Sequence, residues 1–169
     1  PSLVHGGAEL EHRESGARLH RLPLPYRERE ADDQLRLMET QPSGIRVSFT
    51  TRATTVELHL HPTRVAYIGF ERDRGAVDVF VDSHLHARHA LTGGDLYEID
   101  MATGTGRLVA GEDEVIRIAG LPGRDAHVEI WLPHNEQVDL VGLRSDAPLE
   151  PLDDTRPLWL HHGSSISQG

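Results

Sequence analysis

The chain has 169 residues with no cysteine and no lysine, and its 17 basic residues, all arginine, stand against 27 acidic ones for a net charge of -10. This length suits one domain that buries roughly 70% of its unfolded surface without staples, and the missing cysteines exclude a disulfide framework and a thiolate metal site. The negative balance, with no basic stripe among aromatics, argues against nucleic-acid binding, and no stretch approaches the roughly 20 apolar residues of a membrane span.

Residues 1–44 read as a polar, irregular lead-in punctuated by Pro23, Pro25 and Pro42, with one short element around Leu35, Leu37 and Met38. From residue 45 the period changes to two. Ile45 to Phe49, Val56 to His61, Val77 to Val81, Ile116 to Ile118, Val128 to Leu132 and Val138 to Val141 each alternate apolar with polar side chains. That is the pattern of half-buried strands with one face on a core. Turn material separates the runs: Gly69, Gly75, Gly93-Gly94, Gly104, Gly106, Pro122-Gly123 and Pro133. No segment between 45 and 145 keeps a helical period for three turns. The predicted fold is therefore an all-β sandwich of the jelly-roll type over residues 1–144. Residues 145–157 hold three prolines and four acids, a linker composition. Leu158-Trp159-Leu160 then reads as the first strand of a second, α/β domain, with a turn and helix start behind it.

That turn is His161-His162-Gly163-Ser164-Ser165-Ile166-Ser167-Gln168-Gly169. A serine on a sharp strand-to-helix turn exposes its Oγ and its own backbone N–H to a substrate. The block Gly163-Ser164-Ser165-Ile166-Ser167-Gln168-Gly169 resembles the first block of the SGNH (GDSL-type) hydrolase family, with Ser164 standing where that family usually has Asp. Gly93-Gly94-Asp95-Leu96-Tyr97 is similar to a Gly-x-Asp-Leu-Tyr motif of sandwich domains found ahead of such catalytic domains. Ile130-Trp131-Leu132-Pro133-His134-Asn135-Glu136 looks like their late strand and loop. The resemblance implies a serine ester hydrolase that uses no cofactor and takes a small-molecule ester, with carbohydrate esters of short acyl groups as the family habit. It implies that Ser165 is the nucleophile and that its N–H is one of three oxyanion donors. The other two donors, and the Asp-x-x-His that supplies acid and base, have no counterpart in these 169 residues, so the chain alone is expected to be inactive.

His59-x-His61 and His84-x-His86 each put two imidazoles on one strand face, a spacing that can chelate a transition metal. Val56, Leu58 and Leu60 take the core face, so the first pair is expected to face outward, and the cupin pattern fails on the spacing of Glu71 and His127. No metal is expected. His161 and His162 precede the serine too closely on one strand to serve as its base, and are expected to pack beside it. The loop His134-Asn135-Glu136 is expected to be exposed and to border the cleft or the domain interface, together with His162. No basic, apolar leader opens residues 1–7, and a cytoplasmic location is expected. The alternative is a non-catalytic sandwich that binds carbohydrate or a partner protein, for which three Phe, three Tyr and two Trp leave few stacking platforms.

Overall fold

The computed structural model describes residues 3–29, 32–70, 72–152 and 157. In chain order the elements are β1 (Val4–His5), β2 (Glu9–Arg13), β3 (Gly16–His20), α1 (Leu24–Arg29), α2 (Asp33–Met38), β4 (Arg46–Thr51), β5 (Thr55–Tyr67), β6 (Ala76–Val81), β7 (His84–Ala90), β8 (Asp95–Asp100), β9 (Thr105–Val109), β10 (Glu114–Ala119), β11 (Ala126–Trp131), β12 (Gln137–Ser145) and β13 (Leu149–Pro151). All six predicted alternating runs are strands, and the short element around Leu35 is α2. Its N-cap is Asp32, whose side chain accepts a hydrogen bond from the Leu35 N–H at 2.7 Å.

The strands form two sheets. The first runs β1-β4-β11-β6-β7, with β13 also on the edge of β4; the second runs β2-β3-β12-β5-β8-β9, with β10 also on β5. Their inner faces meet in one core. Val47, Phe49, Val77, Val79, Val128 and Ile130 come from the first sheet; Leu19, Val56, Leu58, Leu60, Ile116, Ile118 and Val138 come from the second. Alternation puts the polar partners outside, so the sandwich is dictated by period-two patterning.

Two stretches depart from the sequence reading. Residues 1–44, expected to be irregular, supply three strands and both helices. The β2–β3 hairpin escaped notice because only Leu10 and Leu19 face inward there. Its outward residues Glu11, Arg18 and His20 are charged or polar and build a network of their own. Within the expected linker, residues 149–151 pair with Thr51, Thr50 and Phe49 of β4. Pro151 is tolerated because an edge strand leaves one row of donors unused. The expected strand at Leu158 to Leu160 lies outside the described residues.

One part of the second sheet projects beyond the sandwich. β12 stops pairing with β5 at Thr63, and β10 stops at Leu60. From Arg64 to Tyr67, β5 pairs among the named strands only with the parallel strand β8, which pairs in turn with β9. β5, β8 and β9 thus form a three-stranded arm. Its root is held by glycines. A Cβ at Gly94 would meet the Pro62 carbonyl oxygen, and one at Gly111 would meet the carbonyl of Gly94. Gly94 N–H donates to Glu112 O at 2.7 Å, and the Glu114 carboxylate accepts from the N–H groups of Thr92 and Gly93 at 2.8 and 2.9 Å.

Gly94 has φ +87° and Gly104, in the turn between β8 and β9, has φ +67° with nothing within 4 Å of its absent Cβ. Both Ala variants carry left-handed strain, and only Gly94→Ala adds a backbone collision. Chemical denaturation should show a loss of about 1 kcal/mol for Gly104→Ala and of at least about 2 kcal/mol for Gly94→Ala. Equal losses would mean that the root is not tightly packed.

Candidate functional site

Ser165, His161 and His162 lie outside the described residues, so the geometry bears on the other candidates. The loop after β11 does not match its expected character. Pro133, His134, Asn135 and Glu136 cross from the first sheet to the second, and only His134 is exposed. Glu136 was expected to be an exposed loop residue bordering the cleft or the domain interface; its side chain is 0% exposed. The reason is an ion pair. Arg74 Nε donates to Glu136 Oε1 at 2.8 Å and Arg74 Nη2 to Oε2 at 3.0 Å, while the Gly75 N–H donates to Oε1 at 2.6 Å. Arg74 also donates from Nη1 to Thr92 O at 2.9 Å and from Nη2 to Gly93 O at 2.7 Å. Asn135 is half-buried; its Nδ2 donates to Asp73 O at 3.2 Å, and its own carbonyl accepts from Gln41 Nε2 at 3.4 Å. Glu136 and Asn135 are therefore positioning groups that fasten the loop, β6 and the arm root to one another. Gly75 is required here, because a Cβ would lie 2.7 Å from Pro133 Cβ and 2.9 Å from Asn135 Oδ1.

The sequence reading missed the outward face of the second sheet. Arg18 forms a two-pronged ion pair with Asp139, with Nη2 to Oδ2 at 2.8 Å, across the β3–β12 register. Beside it the buried His20 pairs with Glu39 at 2.6 Å through Nδ1 and with Glu11 at 3.0 Å through Nε2. Arg13 first, then His20, holds the Glu11 carboxyl down at about 2. That contribution to stability is present above the ordinary carboxylate value of 4.5 and is lost as pH falls through about 2. Next to this network is a cleft of about 570 Å³, bounded by Leu37 and Met38 of α2, by Arg18 and Gln137, and by Tyr67 and Tyr97 of the arm. The Tyr97 ring lies against the backbone of Gly106, where any Cβ would collide with it. Tyr97 belongs to the Gly93-to-Tyr97 motif, which was the available signal. Arg18 and Asp139 had none, because their pairing is 121 residues long-range.

The histidine pairs separate. His59 and His61 face outward from β5 as expected, but are half-buried. His61 pairs with Asp113 at 2.8 Å through Nδ1 and with Asp95 at 3.3 Å through Nε2. His84 Nδ1 lies 2.8 Å from Asp82 O and His86 Nε2 3.0 Å from Ala119 O, both on the exposed strand β7. Among the described residues no group of three His, Cys, Asp or Glu gathers that could hold a metal ion. No helix among them is long and apolar enough to cross a membrane. Trp131 points outward from the first sheet, and its ring is covered by the Arg46 guanidinium at 5.0 Å, which also pairs with Glu129 at 3.0 Å.

Removing the Glu136 charge leaves the partly buried Arg74 guanidinium with carbonyl acceptors but no counter-charge. Glu136→Gln should cost about 3 kcal/mol in chemical denaturation; a loss below 1 kcal/mol would show that the pair is dispensable. Burial pulls the His61 pKa down, but Asp113 and Asp95 together outweigh it and raise it above 6.5. The stabilisation from these links is complete below pH 6.5 and fades as pH rises through the raised value. An NMR titration of the His61 ring should give a midpoint above 6.5, moved down by Asp113→Asn.

No family model matches the chain, and no curated protein matches it. Solved structures do. The salicylyl-acyltransferase SsfX3 from a tetracycline biosynthetic pathway superposes with a TM-score of 0.75 at 22% identity over 91% of this chain. A Bacteroides ovatus protein described as a GDSL-like lipase superposes with a TM-score of 0.56 at 15% identity over 88% of this chain. The chain spans 40% of the length of each. At these identities the likeness is one of fold: the two-sheet, all-β architecture recurs as part of larger proteins whose names denote acyl transfer and ester cleavage.

Proposed function

We propose that the chain is the amino-terminal sandwich, jelly-roll in type, of an SGNH-type enzyme acting on esters, with Ser165 as its nucleophile. What carries this reading is the coincidence of two independent signs. The fold resembles parts of an acyltransferase and a GDSL-like lipase. The block from Gly163 to Gly169 follows that fold in the sequence, behind the apolar Leu158-Trp159-Leu160. In this reading the Ser165 Oγ attacks an ester carbonyl and passes its proton to a histidine supplied by an Asp-x-x-His beyond these residues. The Ser165 N–H donates to the developing oxyanion, the alcohol leaves with a proton, and an acyl-serine remains. Water or a second alcohol then takes the acyl group, which separates hydrolase from transferase. The substrate class is a small ester, with acylated carbohydrates favoured by family resemblance.

Ser165→Ala in the full-length protein should lower kcat/KM on p-nitrophenyl acetate by at least about 10³-fold. Turnover that survives the change would remove Ser165 from the mechanism. The cleft beside Tyr67 and Tyr97 supports the second reading, a non-catalytic binding sandwich. Glycan binding by a full-length protein that has no ester turnover would select it.

A further inference from the structure

The arm built by β5, β8 and β9 carries a polar pair, Arg107 with Glu98, but also several large exposed apolar side chains. Ile68 is 57% exposed, Phe70 63%, Met101 67% and Leu108 57%. All four lie on the arm or its turns. They contrast with the neighbouring outward face of the sandwich, where Arg18 with Asp139 and His20 with Glu39 close the surface with paired charge. Large apolar side chains exposed close together on one projecting element are a usual mark of an interaction site.

Strand register places the arm relative to the direction of the chain. β13 runs from opposite Thr51 to opposite Phe49, so at Pro151 the chain is heading along β4 toward Arg46. Arg46 is paired with Trp131, and the loop after Trp131 leads to Gln137, which lies opposite Thr63. The arm begins at Thr63 and extends from that end, by roughly 16 Å over the length of β8 at about 3.3 Å per residue. At β13 the chain therefore runs toward the end of the sandwich from which the arm projects. The arm root is fixed by Gly93, Gly94 and Gly111 and by the Arg74 contacts to Thr92 and Gly93, so its direction is set before anything binds.

We propose that this arm is the docking surface for the domain that follows the sandwich in the same polypeptide, seated on Ile68, Phe70, Met101 and Leu108. This rests on the reading that an α/β domain continues from residue 158. Four side chains are too few for a stable interface with a free partner, which takes about 800 Å² from each side. They suffice for a tethered one, because a short linker supplies an effective concentration in the millimolar range.

The test uses the full-length protein and amide hydrogen exchange read by mass spectrometry. In the unmutated protein, peptides over residues 64–70 and 96–109 should be protected. The double variant Phe70→Glu/Met101→Glu should raise their exchange at least about tenfold, raise it also in peptides of the following domain, and split one thermal transition into two. Leu85→Glu, on an equally exposed apolar residue of β7, should change neither. Unchanged exchange in the following domain overturns the proposal. So does conversion of a dimer to a monomer by the double variant in light scattering, since the occupant would then be a second copy. The catalytic reading fails separately: Ser165→Ala without effect on turnover, beside intact arm protection, sinks the nucleophile and leaves the docking arm standing.

Discussion

The top of the sandwich depends on one guanidinium meeting one carboxylate. Glu136 is fully buried, and an isolated ionised carboxylate there would be strongly disfavoured. Arg74 satisfies both its oxygens, and the Gly75 N–H supplies a third donor. The same guanidinium then reaches Thr92 O and Gly93 O. In this way the start of β6 in one sheet, the start of β12 in the other and the root of the arm share a single cation. A lysine could not replace it, because the site uses a planar fork with acceptors on three sides. The pair specifies geometry more than it adds stability, since much of its Coulomb gain offsets desolvation.

From that anchor the second sheet divides into two regimes. Over the sandwich its outward face is polar and closed: Arg18 with Asp139, and His20 between Glu39 and Glu11. Beyond Thr63 the same strands turn apolar and open, with Tyr67, Tyr97, Ile99 and Leu108 along the cleft. His61 stands near the division, joined to Asp95 at the first residue of β8 and to Asp113 just before β10. Its links fix where the sheet stops being a sandwich wall and becomes an arm.

The core was legible because burial on one face enforces alternation. Val56, Leu58 and Leu60 declare β5, and Val128 with Ile130 declares β11. Strands with mixed or exposed faces gave no such signal. β9 is exposed along its length, and β8 is half-buried at every residue, so neither follows a period of two in burial. β2 and β3 hid behind charged outward residues. The loop candidates were legible in identity and misread in character. Glu136 looked exposed because sequence shows a carboxylate after His134-Asn135, and cannot show Arg74, 62 residues earlier, folded back onto it. The glycines of the Gly93-Gly94-Asp95 motif were visible, but their purpose is a backbone approach to Pro62 that only the pairing of β5 with β8 creates.

A rigid root and an apolar tip make physical sense together. Docking a flexible hairpin would spend ordering entropy on every residue of β8 and β9, on the order of 1 kcal/mol each. A hairpin already held by Arg74, Glu114 and His61 has lost that freedom on folding, so the contact energy of a few side chains is not consumed in ordering it. The interactions that fix the root are charged and directional, which suits setting an angle. Those at the tip are apolar and non-directional, which suits burying a surface. The division of labour explains why the polar residues singled out by sequence, Asn135 and Glu136, are half-buried and buried near the root, while the large exposed apolar residues of the arm include Ile68, Phe70, Met101 and Leu108, which no catalytic motif would select.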